Sequence, residues 1–140
     1  MLRRINNELK NNNFFKEAIF NEESKQLTFV YGKNNNYVSM LIPPNYPFYP
    51  PKSFKVNYRP ITYYRLGNKE NIYKYFKLNC LCCYSVLCCS NWSPGITIQK
   101  IINQYELLKN IINCSILFFY LERKNKLNTD VLQVIASYIK

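Results

Sequence analysis

Five of the chain's seven prolines fall between Pro43 and Pro51. Proline has no N–H for a ladder and fixes its own φ, so Pro43, Pro44, Pro47, Pro50 and Pro51 keep that stretch out of any sheet interior. It has to be an extended edge or a loop. The residues before it read as strands. Phe14 to Asn21 and Lys25 to Tyr31 are two of them, with Leu27, Phe29 and Tyr31 alternating against Thr28 and Val30 and Glu22-Glu23-Ser24 as the turn. Gly32 to Asn36 makes a second turn and Tyr37 to Ile42 a third strand. Beyond the prolines, Phe54, Val56 and Tyr58 alternate as a short fourth. This regular spacing of strands and turns predicts a four-stranded antiparallel meander.

Helical periodicity frames the strands. Leu2, Ile5 and Leu9 predict a short amphipathic helix over 2–12, ended by Asn11-Asn12-Asn13. Ile98, Ile101, Ile102, Tyr105, Leu108 and Ile112 trace one stripe after Pro94. The apolar run Ile111 to Leu121 is broken by Asn113 and Ser115, too short for a membrane span and suited to a buried helix. A last helix starts at Asn128 or Thr129, with Asp130 in its favourable first turn, Leu127 as a staple, and Val131, Val134, Ile135, Tyr138 and Ile139 as its buried face. From Arg59 to Asn79 there is no clean period, which predicts a long, partly irregular loop. Helix, antiparallel strands, then helices on one face of a small sheet make an α+β domain spanning 1–140.

The bulk composition narrows the class. With 48% hydrophobic and 16% aromatic residues in 140, the chain has the makings of one globular core and lies far from disordered composition. Its net charge of +11 is spread over scattered lysines, which describes a solvated basic surface or a surface for an anionic partner. Met1-Leu2-Arg3-Arg4-Ile5-Asn6 holds no apolar signal core, so the expected setting is intracellular and reducing, with cysteines as thiols.

Five of the six cysteines sit between Cys80 and Cys89. Crowded thiols can carry acyl transfer, bind metal, form disulfides or fill a core. Cys80-x-Cys82-Cys83 and Cys88-Cys89 lack the Cys-x-x-Cys spacing that lets two sulfurs converge on zinc, so a metal site is not expected. Cys114, on the long helix, is expected in the core.

The order of elements, with the motifs in place, resembles the ubiquitin-conjugating enzyme family. Arg3-Arg4-Ile5-Asn6-Asn7-Glu8-Leu9 is similar to its opening helix. Val38 to Ile42, leading into Pro44-Asn45-Tyr46-Pro47-Phe48-Tyr49-Pro50-Pro51, is similar to its third strand and Tyr-Pro-Phe-x-Pro-Pro loop. Trp92-Ser93-Pro94-Gly95-Ile96-Thr97-Ile98, followed by Lys100-Ile101-Ile102, is similar to its Trp-Ser-Pro-x-x-Thr-Ile helix start. The likeness covers about residues 2–112 and leaves 113–140 as a divergent helical tail.

That resemblance implies a UBC-like fold and a thioester-forming transferase. A cysteine eight to ten residues before the tryptophan accepts ubiquitin or a ubiquitin-like modifier and passes it to a lysine, with an activating enzyme and a ubiquitin ligase as partners, no cofactor and no membrane. Cys83 fits best because Leu87 then falls in register with the family's Cys-Leu-x-x-Leu; Cys82 and Cys80 are the alternates. Lys74 and Lys77 are the cations available to lower a thiol pKa. Arg3, Arg4, Phe48, Ser93 and Pro94 correspond to partner-binding positions, and the implied location is cytoplasm or nucleus. The chain has no histidine, and Arg59-Pro60-Ile61 keeps only the proline of the family's His-Pro-Asn. Asn71 and Asn79 are the candidate substitutes for that asparagine. The alternative reading is a catalytically inactive relative that binds ubiquitin or a partner. A weaker one is nucleic-acid binding through the basic charge and the Tyr-rich Tyr58–Phe76 stretch.

Overall fold

A computed structural model describes residues 2–10, 13–61 and 69–140. Its elements run α1 (Leu2–Lys10), β1 (Phe15–Asn21), β2 (Gln26–Tyr31), β3 (Asn36–Leu41), β4 (Lys52–Val56), β5 (Arg59–Pro60), α2 (Lys69–Phe76), the turn α3 (Leu81–Tyr84), α4 (Ile98–Arg123) and α5 (Thr129–Ser137). They form an α+β chain of two compact units. Met1–Ile61 with Val86–Ile101 is the first, and Thr62–Ser85 with Ile102–Lys140 the second. The end of the predicted first helix at Asn11 and Asn12 lies outside the described residues, as do residues 62–68 of the predicted loop.

The first unit is built on a sheet in the order β1-β2-β3-β4-β5, every pair antiparallel. Alternation works as predicted: Leu27, Phe29 and Tyr31 are buried, and across the ladder Leu27 faces Met40 and Phe29 faces Val38. Phe54 and Val56 extend the same buried set, and Ile5, Ile98 and Ile101 are buried in this unit too. In the turn after β1, the Asn21 side-chain oxygen accepts from the Glu23 and Ser24 N–H groups at 3.0 Å each. This local bond is the asparagine turn chemistry that makes such a sequence reverse.

The sheet has five strands rather than the predicted four. Asn57 and Tyr58 both take positive φ, +49° and +65°, which is the two-residue turn whose twist matches a hairpin. It pairs Val56 with Arg59 and Lys55 with Pro60. Pro60 is tolerated because it lies in the edge strand, where a missing donor costs no ladder bond. Tyr58, predicted as a strand residue, is instead the exposed turn residue, stacked on Tyr37 with ring centroids 4.9 Å apart.

The second unit is helical. Ile72, Tyr75, Phe76, Leu81, Leu108, Ile111, Ile112, Phe118, Leu132 and Ala136 form its buried cluster. The predicted loop therefore contains a helix: Ile72, Tyr75 and Phe76 share one face of α2, with Glu70 in the first turn. The Ile98–Ile112 stripe is buried as predicted, apart from a half-buried Tyr105. The Ile111–Leu121 run is helical but only half of it is covered, since Ile116, Leu117, Phe119 and Tyr120 are exposed.

The last helix starts where predicted. The Asn128 side chain accepts from the Val131 N–H at 2.9 Å, and Leu127 packs into the same cluster as Leu132, the staple arrangement. Its predicted inner face is corrected, however. Leu132 and Ala136 are buried, Ile139 is partly buried, and Val131, Val134, Ile135 and Tyr138 are exposed, Tyr138 at 87%. Docking to α2 selects that face: Gln133 Nε2 donates to Lys74 O at 2.8 Å, and Lys140 Nζ to Phe76 O at 2.8 Å.

Glu122 ties this unit together. Its carboxylate accepts from Lys74 Nζ at 2.5 Å, from Tyr75 Oη at 2.7 Å and from Thr129 Oγ1. The bond from Lys74 first, then those from Thr129 and Tyr75, hold its pKa at about 2 against an ordinary 4.5. A depressed carboxyl pKa gives stability that is complete above the unfolded value and lost as pH falls through the folded one. The stability difference between wild type and Glu122→Gln should therefore hold steady above pH 4.5 and shrink as pH drops toward 2. Urea midpoints at stepped pH measure it, and a difference constant across that window would contradict the assignment. Among the described residues, no helix is long and apolar enough to cross a membrane.

Candidate functional site

Within the first unit, α1, the proline-rich loop and the Trp92 loop are drawn together by long-range hydrogen bonds. Trp92 Nε1 donates to Pro47 O at 2.8 Å, which fixes the proline loop to the start of the following helix. Arg4 Nη2 donates to Pro94 O at 3.3 Å. Glu8 is the hub. One of its oxygens accepts from Arg4 Nε and, at 3.1 Å, from Tyr46 Oη, while the other accepts from the Ile98 N–H at 2.8 Å. The last bond places a carboxylate on an orphan donor at the N-terminus of α4, where the helix dipole favours negative charge. Thr97 caps the same terminus, its Oγ1 accepting from the Lys100 N–H at 3.2 Å.

Burial, then the Glu8 charge, push the Tyr46 hydroxyl well above the ordinary tyrosine range, so it remains a protonated donor. The Glu8 bond likewise raises Arg4. With these three segments tied, Phe48 stands 71% exposed and Tyr49 54% exposed, on the loop that Trp92 holds. Ser93 and Pro94 are exposed as well. Of the predicted partner-binding residues, then, Arg4, Phe48, Ser93 and Pro94 share one bonded framework, and Arg3 is exposed on the same helix. Arg4 also has an internal task, holding Glu8 and Pro94.

Glu8 and Tyr46 were not singled out by sequence reasoning. The available signal was that Glu8 is the lone acid in an otherwise basic or neutral helix, LRRINNELK. A lone acid beside Arg4 suggests an (i, i+4) pair, but nothing local reveals a partner ninety positions away.

The predicted thiols Cys80, Cys82 and Cys83 belong to the second unit. Cys80 is the N-cap of α3, in extended conformation with φ −155° and ψ 123°. Leu81 is buried and anchors the turn, and Gln104 Nε2 donates to Tyr84 O at 2.9 Å. Cys80 and Cys82 are joined in a disulfide, against the expectation of thiols throughout. An extended cap followed by a helical turn brings their Cα atoms to 5.5 Å, within bridging reach. Cys83 lies outside that bond, exposed, with Sγ 3.9 Å from Cys82 Sγ. The three sulfurs all fall within 4.8 Å of one another, so their spacing in sequence does not keep them from converging.

The expected cationic helpers are engaged elsewhere. Lys74 pairs with Glu122, and Lys77 Nζ lies 5.6 Å from the Tyr73 ring centroid. Asn71 sits within α2, and Asn79 is exposed one position before Cys80. Back in the first unit, Cys88 has a thiol held below its ordinary pKa by the Ser90 hydroxyl at 3.1 Å and then by the Ser90 backbone. Its carbonyl accepts from the Trp92 N–H at 3.0 Å. Burial pushes the Cys114 thiol upward; expected in the core, it is only partly buried, packed against the helical cluster. Compared with protein-family models, curated proteins and solved structures, the chain matches none.

Proposed function

We propose that this chain is a divergent ubiquitin-conjugating-type enzyme with a UBC-like fold, and that Cys83 accepts ubiquitin or a ubiquitin-like modifier. The carrying observation is the bonded framework of α1, the proline loop and the Trp92 loop, which presents Phe48, Ser93 and Pro94 together. Those segments correspond to the partner-binding face that the sequence motifs imply. Cys83 leads its alternates because Cys80 and Cys82 are consumed by a disulfide. In the proposed reaction the Cys83 thiolate attacks the thioester carbonyl of a modifier held by its activating enzyme. A C–S bond forms to Cys83 and the activating enzyme's thiolate leaves. A lysine amine then attacks the new thioester, an amide bond forms, Cys83 leaves as thiolate and the amine's proton passes to solvent.

Incubation with activating enzyme, modifier and ATP should give a conjugate cleaved by thiol reagents and abolished in Cys83→Ser. Loss confined to Cys82→Ser or Cys88→Ser would move the assignment, and no adduct with any activating enzyme would sink it. One observation favours the non-catalytic alternative. Arg59 and Pro60, in the family's His-Pro-Asn region, are committed to an edge strand, with the Ile61 N–H donating to Phe54 O at 3.1 Å. On that reading the protein captures ubiquitin or a ligase without ever forming a thioester. An exposed aromatic anchor is then the main contact, so Phe48→Ala should weaken capture by about tenfold or more.

A further inference from the structure

The turn that carries Cys83 supports a second chemistry, independent of acyl transfer. An N-cap side chain folds back over the second and third helical residues, which is how a serine or aspartate cap reaches their N–H groups. In α3 the cap is Cys80 and those two residues are Cys82 and Cys83. Cys-x-Cys-Cys at a helix start therefore gathers three sulfurs on one side of a single turn, a convergence usually obtained from Cys-x-x-Cys. Tetrahedral zinc with Zn–S bonds of about 2.3 Å sets neighbouring sulfurs about 3.8 Å apart. The Cys82–Cys83 pair already lies at 3.9 Å, and the whole trio lies within 4.8 Å.

We propose that, once the Cys80–Cys82 disulfide is reduced, Cys80, Cys82 and Cys83 form a three-thiolate site for a thiophilic closed-shell cation, Zn²⁺ or Cu⁺. The donor set selects this class: three soft sulfurs favour zinc or cuprous ion over magnesium or calcium, which take oxygen. The site is closed by oxidation. A phosphine opens it by taking up an oxygen from water as the disulfide gains two electrons, leaving phosphine oxide and two thiols. Metal binding then releases the thiol protons and forms the metal–sulfur bonds, with a fourth position left for solvent or an added thiol. Cys83 is exposed and Cys82 and Cys80 are half-exposed, so an ion reaches the site without unfolding the helical cluster.

The test uses the full chain and Cd²⁺, which reports thiolate ligation by a charge-transfer band. Phosphine-reduced protein should bind one equivalent and show the band, and unreduced protein should show it weakly or not at all. Cys83→Ser, checked for native far-UV circular dichroism, should bind at least tenfold more weakly, and cadmium should displace zinc bound beforehand, as three soft sulfurs require. Cys88→Ser/Cys89→Ser should bind like wild type. A missing band after reduction, an equal band before it, unchanged affinity in Cys83→Ser, or loss in the Cys88/Cys89 variant would each overturn the assignment. Thioester formation is read separately in the conjugation assay, so either result stands without the other.

Discussion

Glu8→Ala should destabilise the first unit by about 2–4 kcal/mol, among the largest effects of any single polar substitution in the chain. The carboxylate serves three donors of different character, and each loses something different. Tyr46 is 2% exposed, so its hydroxyl left without an acceptor bears most of a desolvation penalty of about 1–3 kcal/mol. The Ile98 N–H loses a charged acceptor at a helix N-terminus, a contribution of about 0.3–1 kcal/mol. Arg4 is 36% exposed, so its ion pair adds only about 0–1 kcal/mol after solvent screening. Trp92, the lone tryptophan, lies in this unit and reports its urea unfolding by fluorescence. Glu8→Gln, which keeps an acceptor but loses the charge, should cost less than alanine. Tyr46→Phe removes one donor together with its demand and should cost about 1 kcal/mol. Equal costs for alanine and glutamine would mean that only the charge matters, and a cost below 0.5 kcal/mol for alanine (roughly the scatter of a neutral surface change) would remove Glu8 as the hub. The expected loss reaches the proposed docking face as well, because the bonds from Arg4 and Glu8 hold α1 and the Trp92 loop in place.

How much of this was legible in the sequence depends on how far the deciding partner lies along the chain. The alternation in β2, the proline loop, the Asn128 cap and the Ile98–Ile112 stripe depend on near neighbours, and all are seen as read. The inner face of α5 depends on a distant partner. Val131, Val134, Ile135 and Tyr138 make an apolar set at helical spacing, yet Leu132 and Ala136 on another face are the ones buried. With apolar residues on two faces, periodicity announces a helix but leaves the choice of face to the element that docks there. The β5 strand is not legible in the sequence because Asn57-Tyr58 is an unusual hairpin turn and Pro60 argues against a strand. Glu8 could be placed on a helix from its neighbours but not joined to Tyr46 or Ile98. For the cysteines, spacing alone did not reveal convergence, because convergence depends on where the helical turn begins. A start at Leu81 makes Cys80 the cap; a start one residue later would have turned it away.

Phe76→Ala should cost about 3–5 kcal/mol, the range for emptying a buried aromatic site. Phe76 is fully buried and stacks on Phe118, with centroids 5.8 Å apart and planes 7° from parallel; Phe118 meets Tyr75 edge-on at 5.7 Å. The substitution should also do more than open a cavity. At eight residues α2 is well below the about 12–15 residues at which isolated helices become marginal in water, so its helicity comes from the docking of Ile72, Tyr75 and Phe76. Removing Phe76 takes a large share of that docked surface and should fray α2 before the rest of the cluster unfolds. Urea denaturation followed by far-UV circular dichroism measures the cost, and amide exchange locates it: protection should fall first between Ile72 and Lys77. A double-mutant cycle with Phe118→Ala should show coupling of about 0.5–1.5 kcal/mol from the ring pair. A total cost under 1 kcal/mol, with α2 amides as protected as before, would mean that α2 is not docked through this ring. The same helix reads as loop in the sequence because Tyr73 and Lys74 separate Ile72 from Tyr75 and Phe76, and the segment is too short to show a period. Its stability is therefore a direct measure of how far packing, rather than local propensity, makes this segment helical.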